Sequence, residues 1–382
     1  VTVLYLDHAA TTPVRAEVLA AMVPHLRERF GNPSSHHTVG EAAADALDDA
    51  RRRVAAVLGM RPGDVVFTSG GTEANNLATK GLAVGAAGRR GGPVHVVTSA
   101  IEHESVLASC AYLERVHGFE VTVLPVSATG RIDPDAVASA IRDDTAVVTV
   151  GYANNEVGTV QDVAAIAAAC AGARVPLHLD AVQAAGWLPL AGTGADALSI
   201  AGHKIGAPQG TGVLAVRGRL PLEPLLHGGG QERDRRSGTE NVAGAVGLAL
   251  ALELAEAERE ELAARVSARR DAFIDRVLSL VPDARLTGDP VHRLAGTASF
   301  TFAGVSGEAV LLELERRGVV SSSGSACAAG SDEPSHVLLA LGISPEVAQT
   351  SVRFTFGHGA DLDLLPVAAA VADSVAAVRS GP

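Results

Sequence analysis

A lysine sits at the end of an apolar run, Asp196–Ala197–Leu198–Ser199–Ile200, in the stretch Ala201–Gly202–His203–Lys204. A glycine-punctuated turn, Ile205 to Gly210, follows it. Lysine packs badly at the mouth of a buried strand, but there it can lose its proton and attack a carbonyl. Asp180 ends another apolar run, 24 positions earlier. Val65–Val66–Phe67–Thr68 leads into Ser69–Gly70–Gly71–Thr72–Glu73 and then a helical pattern. Such a strand–glycine–helix turn offers free N–H groups and a positive helix end to an anion. It matches neither a Walker loop nor G-x-G-x-x-G. His103 opens a further helix, with a ring that can exchange protons near neutral pH. Each residue alone has a plainer reading: a solvated lysine, a helix-capping Asp180, a tight turn, a structural histidine.

Together the four describe a pyridoxal phosphate site. Lys204 would form the Schiff base. Asp180 would keep the pyridine nitrogen protonated, so that the ring acts as an electron sink. Gly71 and Thr72 would hold the phosphate, and His103 would lie over the ring and move protons. Two more residues extend the set. Cys327 lies in Ser321–Ser322–Ser323–Gly324–Ser325–Ala326–Cys327–Ala328–Ala329–Gly330, whose small polar residues would expose a reactive thiol. Cys110 and Cys170 lie on apolar helical faces and read as core residues. In Thr350 to Phe356, alternation places Val352, Phe354 and Phe356 on one strand face and Ser351, Arg353 and Thr355 on the other. Arg353 is a solvated charge or, if its face looks into a cleft, a clamp for a substrate carboxylate.

These residues need a frame. Apolar runs at 65–68, 95–99, 120–124, 146–150, 176–180, 196–200 and 212–216 alternate with helical patterns, which implies a mostly parallel sheet. Thr72, His103, Asn155, Asp180, Gln183, His203 and Lys204 all follow carboxyl ends of these runs, the edge where open α/β sheets bind ligands. Helices are expected at about Arg15 to Arg29 and Glu41 to Leu58. A long charged helix from about Ala243 to Val281, broken once, would bridge to a smaller α+β part that runs strand, helix, loop, helix, strand, helix. Glu261 and Arg265 stand four apart on it in the favourable order.

With 382 residues, 47% apolar content and 41 glycines, the composition is that of a globular enzyme of about two domains. A net charge of −12 argues against nucleic-acid binding. Three dispersed cysteines form neither a disulfide framework nor a zinc set and fit the cytoplasm. His8, His25, His36, His37, His336 and His358 lack metal-helix spacing, so no metal is expected. Val1 to Asp7 carries no basic region and no long apolar run, so no signal peptide is expected, and no apolar run approaches the roughly 20 residues that span a bilayer.

The sequence resembles the cysteine desulfurases, pyridoxal phosphate enzymes of the class V aminotransferase family, of the type that serves iron–sulfur cluster assembly and tRNA thiolation. The matching stretches run in order along nearly the whole chain. They include Leu6 to Pro13, Gly31 to Ser35, Thr68 to Asn76, Glu102–His103, Asn154 to Thr159, Asp180 to Gln183, Gly202–His203–Lys204, Gly228 to Glu232, Arg236 to Thr239 and Gly324 to Cys327. The resemblance implies an α/β fold, the type I fold of pyridoxal phosphate-dependent transferases. Residues 16–258 would form the large domain around a mostly parallel seven-stranded sheet. Residues 1–15 and 259–382 would form the small α+β domain, carrying the cysteine loop at about 321–333. Gln183 would meet the ring hydroxyl, and His203 and Thr239 of a second subunit would join Gly71 and Thr72 on the phosphate. Asn155 would touch cofactor and substrate, and Asn155 and Arg353 would bind the carboxylate of L-cysteine. Cys327 would take the sulfur as a persulfide, leaving alanine. It would pass the sulfur to an acceptor protein and transiently touch a nascent iron–sulfur cluster. A selenocysteine lyase, another C–S lyase or an aminotransferase on the same fold is the neighbouring reading, and a cofactor-free scaffold is the distant one. Three departures stand out. Ala201 replaces a phosphate-binding serine common among relatives, which predicts one fewer side-chain bond there. Ala207–Pro208–Gln209–Gly210 replaces a Gly–Pro–Lys–Gly turn. The C-terminal tail that grips a scaffold is expected to be short.

Overall fold

The computed structural model describes residues 3–324, 333–357 and 363–380. The chain begins with β1 (Leu4–Tyr5), α1 (Ala16–Arg27) and α2 (Thr38–Leu58). His37 caps α2 by accepting the Gly40 N–H, and left-handed Gly59 (φ 62°) ends it. Then come β2 (Val65–Thr68), α3 (Gly71–Asn76), a π turn at Leu77–Gly81 and α4 (Leu82–Arg90). The alternation continues through β3 (His95–Ser99), α5 (Glu104–Tyr112), β4 (Glu120–Leu124), α6 (Pro134–Ala140), β5 (Thr145–Gly151), α7 (Val163–Ala173) and β6 (Leu177–Asp180). It closes with β7 (Ala197–Ala201) and β8 (Gly212–Val216).

These strands form one seven-stranded sheet in the order β2-β8-β7-β6-β5-β3-β4. All seven expected strands are present. Only β8 runs antiparallel to its neighbours, because the tight Gly202–Thr211 turn returns the chain beside β7 with no room for a helix. Apart from the edge strand β4, which exposes Glu120 and Val123, the strands are buried on both faces, with helices covering each side, as a mostly parallel sheet requires.

Helix α8 (Val242–Leu280) spans 39 residues without interruption. The expected break is absent. Its glycines, Gly244 and Gly247, lie near its start, and no glycine or proline follows within it. At 1.5 Å per residue it is about 58 Å long. Its first half packs Leu248, Leu252 and Ala255 into the core beneath the large sheet. Its second half packs Leu262, Val266, Phe273 and Val277 into a separate core with Leu6, Phe300 and Phe354.

That second core is organised by β9 (Ala284–Leu286), β10 (Thr297–Phe302), α9 (Gly307–Arg316), β11 (Val319–Val320), α10 (His336–Ala340), α11 (Pro345–Ala348), β12 (Ser351–Thr355) and α12 (Leu365–Ser380). The short β9, β11 and α11 add to the expected order. Strands β12-β10-β9 form an antiparallel sheet, and β1 pairs with β11. Val352, Phe354 and Phe356 face the aromatic core, as the alternation requires. The opposite face is not solvated: Arg353 is 2% exposed.

Candidate active site

The carboxyl ends of the large sheet and the polar face of β12 enclose a cavity of about 860 Å3. Asp180 terminates β6 at its wall. Its Oδ2 accepts from Asn75 Nδ2 at 2.7 Å and its Oδ1 from Val182 N at 3.0 Å. Two N–H groups aimed at one carboxyl suit an ionised form. The strand-to-helix turn lies alongside. A Cβ on Gly71 would fall 2.8 Å from Val182 Cγ2 and 3.2 Å from Ala201 Cβ. A Cβ on Gly212 would fall 2.5 Å from the Gly70 carbonyl carbon. Only glycine lets these backbones close up, which leaves the first N–H groups of α3 facing the cavity beside Thr72.

Lys204 ends a short 3-10 turn, Gly202–Lys204, that prolongs β7. Its Nζ donates to Ala10 O at 2.8 Å and to Ala9 O. Gln183 Nε2 donates to the same Ala9 carbonyl at 3.1 Å. His203 Nδ1 meets Thr11 Oγ1 at 3.2 Å. Burial, reinforced by the charge of Lys204, lowers the His203 pKa to about 4, so the ring is neutral at neutral pH. The loop from Ala9 to Thr12, far away in sequence, therefore braces the lysine turn.

His103 caps α5. Its Nδ1 accepts the Ser105 N–H at 3.0 Å and meets Ser105 Oγ at 2.8 Å. The backbone donor puts the hydrogen of the neutral ring on Nε2. Ser105 Oγ in turn accepts from Asn75 Nδ2 at 3.0 Å. A relay thus joins His103 to Asp180 through Ser105 and Asn75. Asn75 lies within Thr68 to Asn76 but has no role legible in the sequence; its position one helical turn after Gly71 was the available signal.

On the facing wall, Arg353 donates through Nη2 to Asp7 Oδ1 at 2.6 Å. Its Nη1 donates to the carbonyls of Asn155 at 2.9 Å and Gly324 at 3.3 Å. Its Nε is buried with no partner among the described residues. Arg353 is thus a buried residue of the cavity wall and not a solvated charge. Asn155 and Ala201 also line the cavity. Thr239 is exposed and lies outside the lining. Cys327 falls outside the described residues; Gly324 before it and Glu333 to His336 after it line the cavity. Cys110 and Cys170 are core residues, and burial pushes both thiols up to about 12. Among the described residues, no group of three or more His, Cys, Asp or Glu side chains forms a metal site, and no helix is long and apolar enough to cross a membrane.

Residues 4–363 match the model of the Aminotransferase class-V family. The chain belongs to that family. It is 44% identical over 356 residues to the cysteine desulfurase IscS of Dictyoglomus turgidum, covering 93% of this chain and 89% of that one. A solved structure described as a NifS-like protein superposes with a TM-score of 0.90 at 32% identity, over 98% of this chain and all (100%) of that one. A solved structure of SspA in complex with cysteine superposes with a TM-score of 0.80 at 36% identity, over 93% of this chain and 99% of that one. Class V aminotransferases of the desulfurase type use pyridoxal phosphate, and the cavity fits that group. It has a strand-to-helix turn that only glycine at 71 can pack against Val182 and Ala201, a doubly donated carboxylate, a lysine and the ring of His103.

Proposed function

We propose that this chain is a pyridoxal phosphate-dependent L-cysteine desulfurase. The observation that carries the reading is the convergence of Lys204, Asp180 and His103 on one cavity whose far wall is Arg353. Residues 16–258 serve as the cofactor domain, and residues 1–15 and 259–382 as the domain that brings Arg353 and Cys327.

Asp180, held by Asn75 and Val182, would pair with the pyridine nitrogen and favour its protonated form. The α3 N–H groups, Thr72 and the neutral His203 would hold the phosphate, and Gln183 would serve the ring hydroxyl. When bound, the cofactor supplies an electron sink that weakens the carbon–sulfur bond of cysteine. Lys204, now held by the Ala9 and Ala10 carbonyls, would be the attachment point and would hold a proton taken from the substrate. His103 exchanges a proton at Nε2. Arg353 and Asn155 orient the substrate carboxylate. The Cys327 thiolate attacks the substrate sulfur: its S–S bond forms as the C–S bond breaks, and a proton completes alanine.

A second copy of the chain completes the site with its exposed Thr239. Leu19, Val23, Leu26 and Phe30 form an outward apolar stripe on and after α1, exposed by 54, 38, 60 and 69%, which suits burial in a homodimer. The setting is the cytoplasm, where thiols stay reduced. A sulfur-acceptor protein of cluster assembly or tRNA thiolation takes the persulfide sulfur, and neither nucleic acid nor membrane is a partner.

The test is mass spectrometry after incubation with L-cysteine. A persulfide on Cys327, with alanine released, is expected. Cys327→Ala should retain the visible cofactor absorbance and form no persulfide. Sulfide release by that variant at the wild-type rate under limiting reductant overturns the reading. Lys204→Ala should lose the lysine-linked absorbance, and an unchanged band overturns the assignment of Lys204.

A further inference from the structure

Glu102 has no part in the reaction above, yet its carboxyl is built into the cavity wall. It precedes His103 and is 3% exposed. Ser99 Oγ donates to its Oε1 at 2.5 Å. Its backbone carbonyl accepts from His336 Nε2 at 3.0 Å. Its Oε2 rests against Gly151, where an added Cβ would lie only 3.3 Å away. Gly151 is the residue paired with Asp180 across β5 and β6. Neighbouring strands are about 4.8 Å apart. The two carboxyls therefore occupy adjacent columns, and glycine at 151 leaves no side chain between them.

The partners of the two acids differ. Asp180 receives N–H groups from Asn75 and Val182. Glu102 forms no ion pair among the described residues and has only a hydroxyl and one backbone N–H beside it. Two carboxylates this close disfavour ionising together, and Glu102, buried where Asp180 is only half-buried and holding fewer N–H donors, is the one that loses its charge more readily. We propose that Glu102 is a positioning residue that stays a neutral acid at neutral pH. It leaves Asp180 as the single anion of that wall and fixes the turn that presents His103.

The surroundings agree. Burial pushes the Glu102 carboxyl up to about 8, opposed by the Ser99 hydrogen bond, raised further by the Asp180 charge and opposed by the Gly151 N–H. Helix α5 faces it with the Cys110 thiol, which Glu102 helps to raise after burial. On its other sides stand His103, and His336 of α10, which is itself 3.6 Å from Glu104. Lys204 lines the same cavity. Ionisation at higher pH would leave a buried charge without a cation, and such a charge must be solvated by opening the turn.

The inference rests on the function proposed above for its meaning, but its test needs neither cofactor nor cysteine. The folded acid keeps its proton to about 8, whereas the unfolded acid releases it near 4.5, the ordinary value for glutamate. Between these limits folding takes up a proton, so this contribution to stability falls as pH rises. Denaturant unfolding of the apoprotein, wild type against Glu102→Gln, should show the wild type losing ground about tenfold in unfolding constant per pH unit across that window. Above it the two curves should run parallel. Parallel curves throughout overturn the proposal. If Glu102→Gln does not fold, difference infrared spectroscopy on the wild-type apoprotein carrying labelled glutamate decides. A protonated-carboxyl C=O band should be present at neutral pH and vanish in the alkaline range, and its absence at neutral pH overturns the proposal.

Discussion

Arg51 and Arg353 are both buried beside a carboxylate, at 5% and 2% exposure, and they serve opposite ends. Arg51 meets Glu232 through two parallel bonds, at 2.7 and 2.9 Å, and donates to Val65 O at 2.6 Å. Glu232 also accepts the Phe67 N–H at 3.1 Å. Neither residue lines the active-site cavity. The pair pins Glu232, Arg233 and Asp234, three consecutive non-glycine residues with φ between 49° and 63°. Left-handed backbone of that kind persists only where surrounding contacts fix it. Arg353 instead meets Asp7 through one short bond and spends Nη1 on two carbonyls at the rim of the cavity. A closed two-bond pair holds the chain. A single ion-pair bond beside an open cavity is a looser tie, which suits the carboxylate-binding role proposed above for Arg353.

The largest effect should come from breaking the closed pair. Arg51→Met leaves Glu232 as an unpaired buried charge and should lower the unfolding free energy by about 3–5 kcal/mol. Denaturant unfolding measures this, and Arg51→Met/Glu232→Gln should recover much of the loss. A single variant as stable as wild type would remove the pair from any structural role.

Arg353→Lys keeps the charge but loses the fork. Its loss should appear in substrate affinity: KM for L-cysteine should rise by roughly 30-fold or more, as about 2–3 kcal/mol of charged hydrogen bonding disappears. Stability should fall less than with Arg51→Met. Steady-state kinetics and unfolding on the same preparation separate the two, and the reverse pattern would exchange the roles assigned to these arginines.

A buried polar arrangement without charge offers a contrast. His178, between β5 and β7, meets Thr149 Oγ1 and Ser199 Oγ, each at 2.8 Å. Burial lowers its pKa to about 3 from 6.5. The unfolded chain therefore binds a proton that the folded chain refuses between these values, and stability falls as pH drops through that window. The slope should be about 1.4 kcal/mol per pH unit for this group. His178→Gln should flatten the acid limb of a stability profile, and an unaltered limb would show that this histidine is not the refused proton.

The two arginines also show what a sequence can reveal. The alternation around Arg353 was legible because β12 obeys period two, so the cavity-facing side followed once the strand was placed. Its partner was not legible: Asp7 lies 346 residues away, and only the pairing of the first strand with the small domain brings it there. The Glu232 turn was equally hidden, since left-handed backbone at three non-glycine residues contradicts local preference. Strand runs and the Gly71 turn were readable because burial on both faces and missing Cβ atoms leave local marks. Asn75, Ser105 and Glu102 leave no such marks, because each is defined by what it touches across strands and helices. The direction of β8 and the continuity of α8 depended on a turn length and on an absence of helix breakers, and neither follows from apolar periodicity.

Arg265 and Glu261 complete the series at the weak end. The favourable i, i+4 order in the sequence is realised as a contact of 3.4 Å on α8. Their side chains are 43% and 88% exposed, so water screens both charges and ordering two long side chains offsets the attraction. Arg265→Ala should change the unfolding free energy by no more than about 0.5 kcal/mol, and added salt should shrink even that. A loss comparable to that of Arg51→Met would show that α8 depends on surface charge where it leaves the large core. The expected small value instead leaves Leu262 and Val266, which point inward between these charges, as the groups that hold this part of the helix.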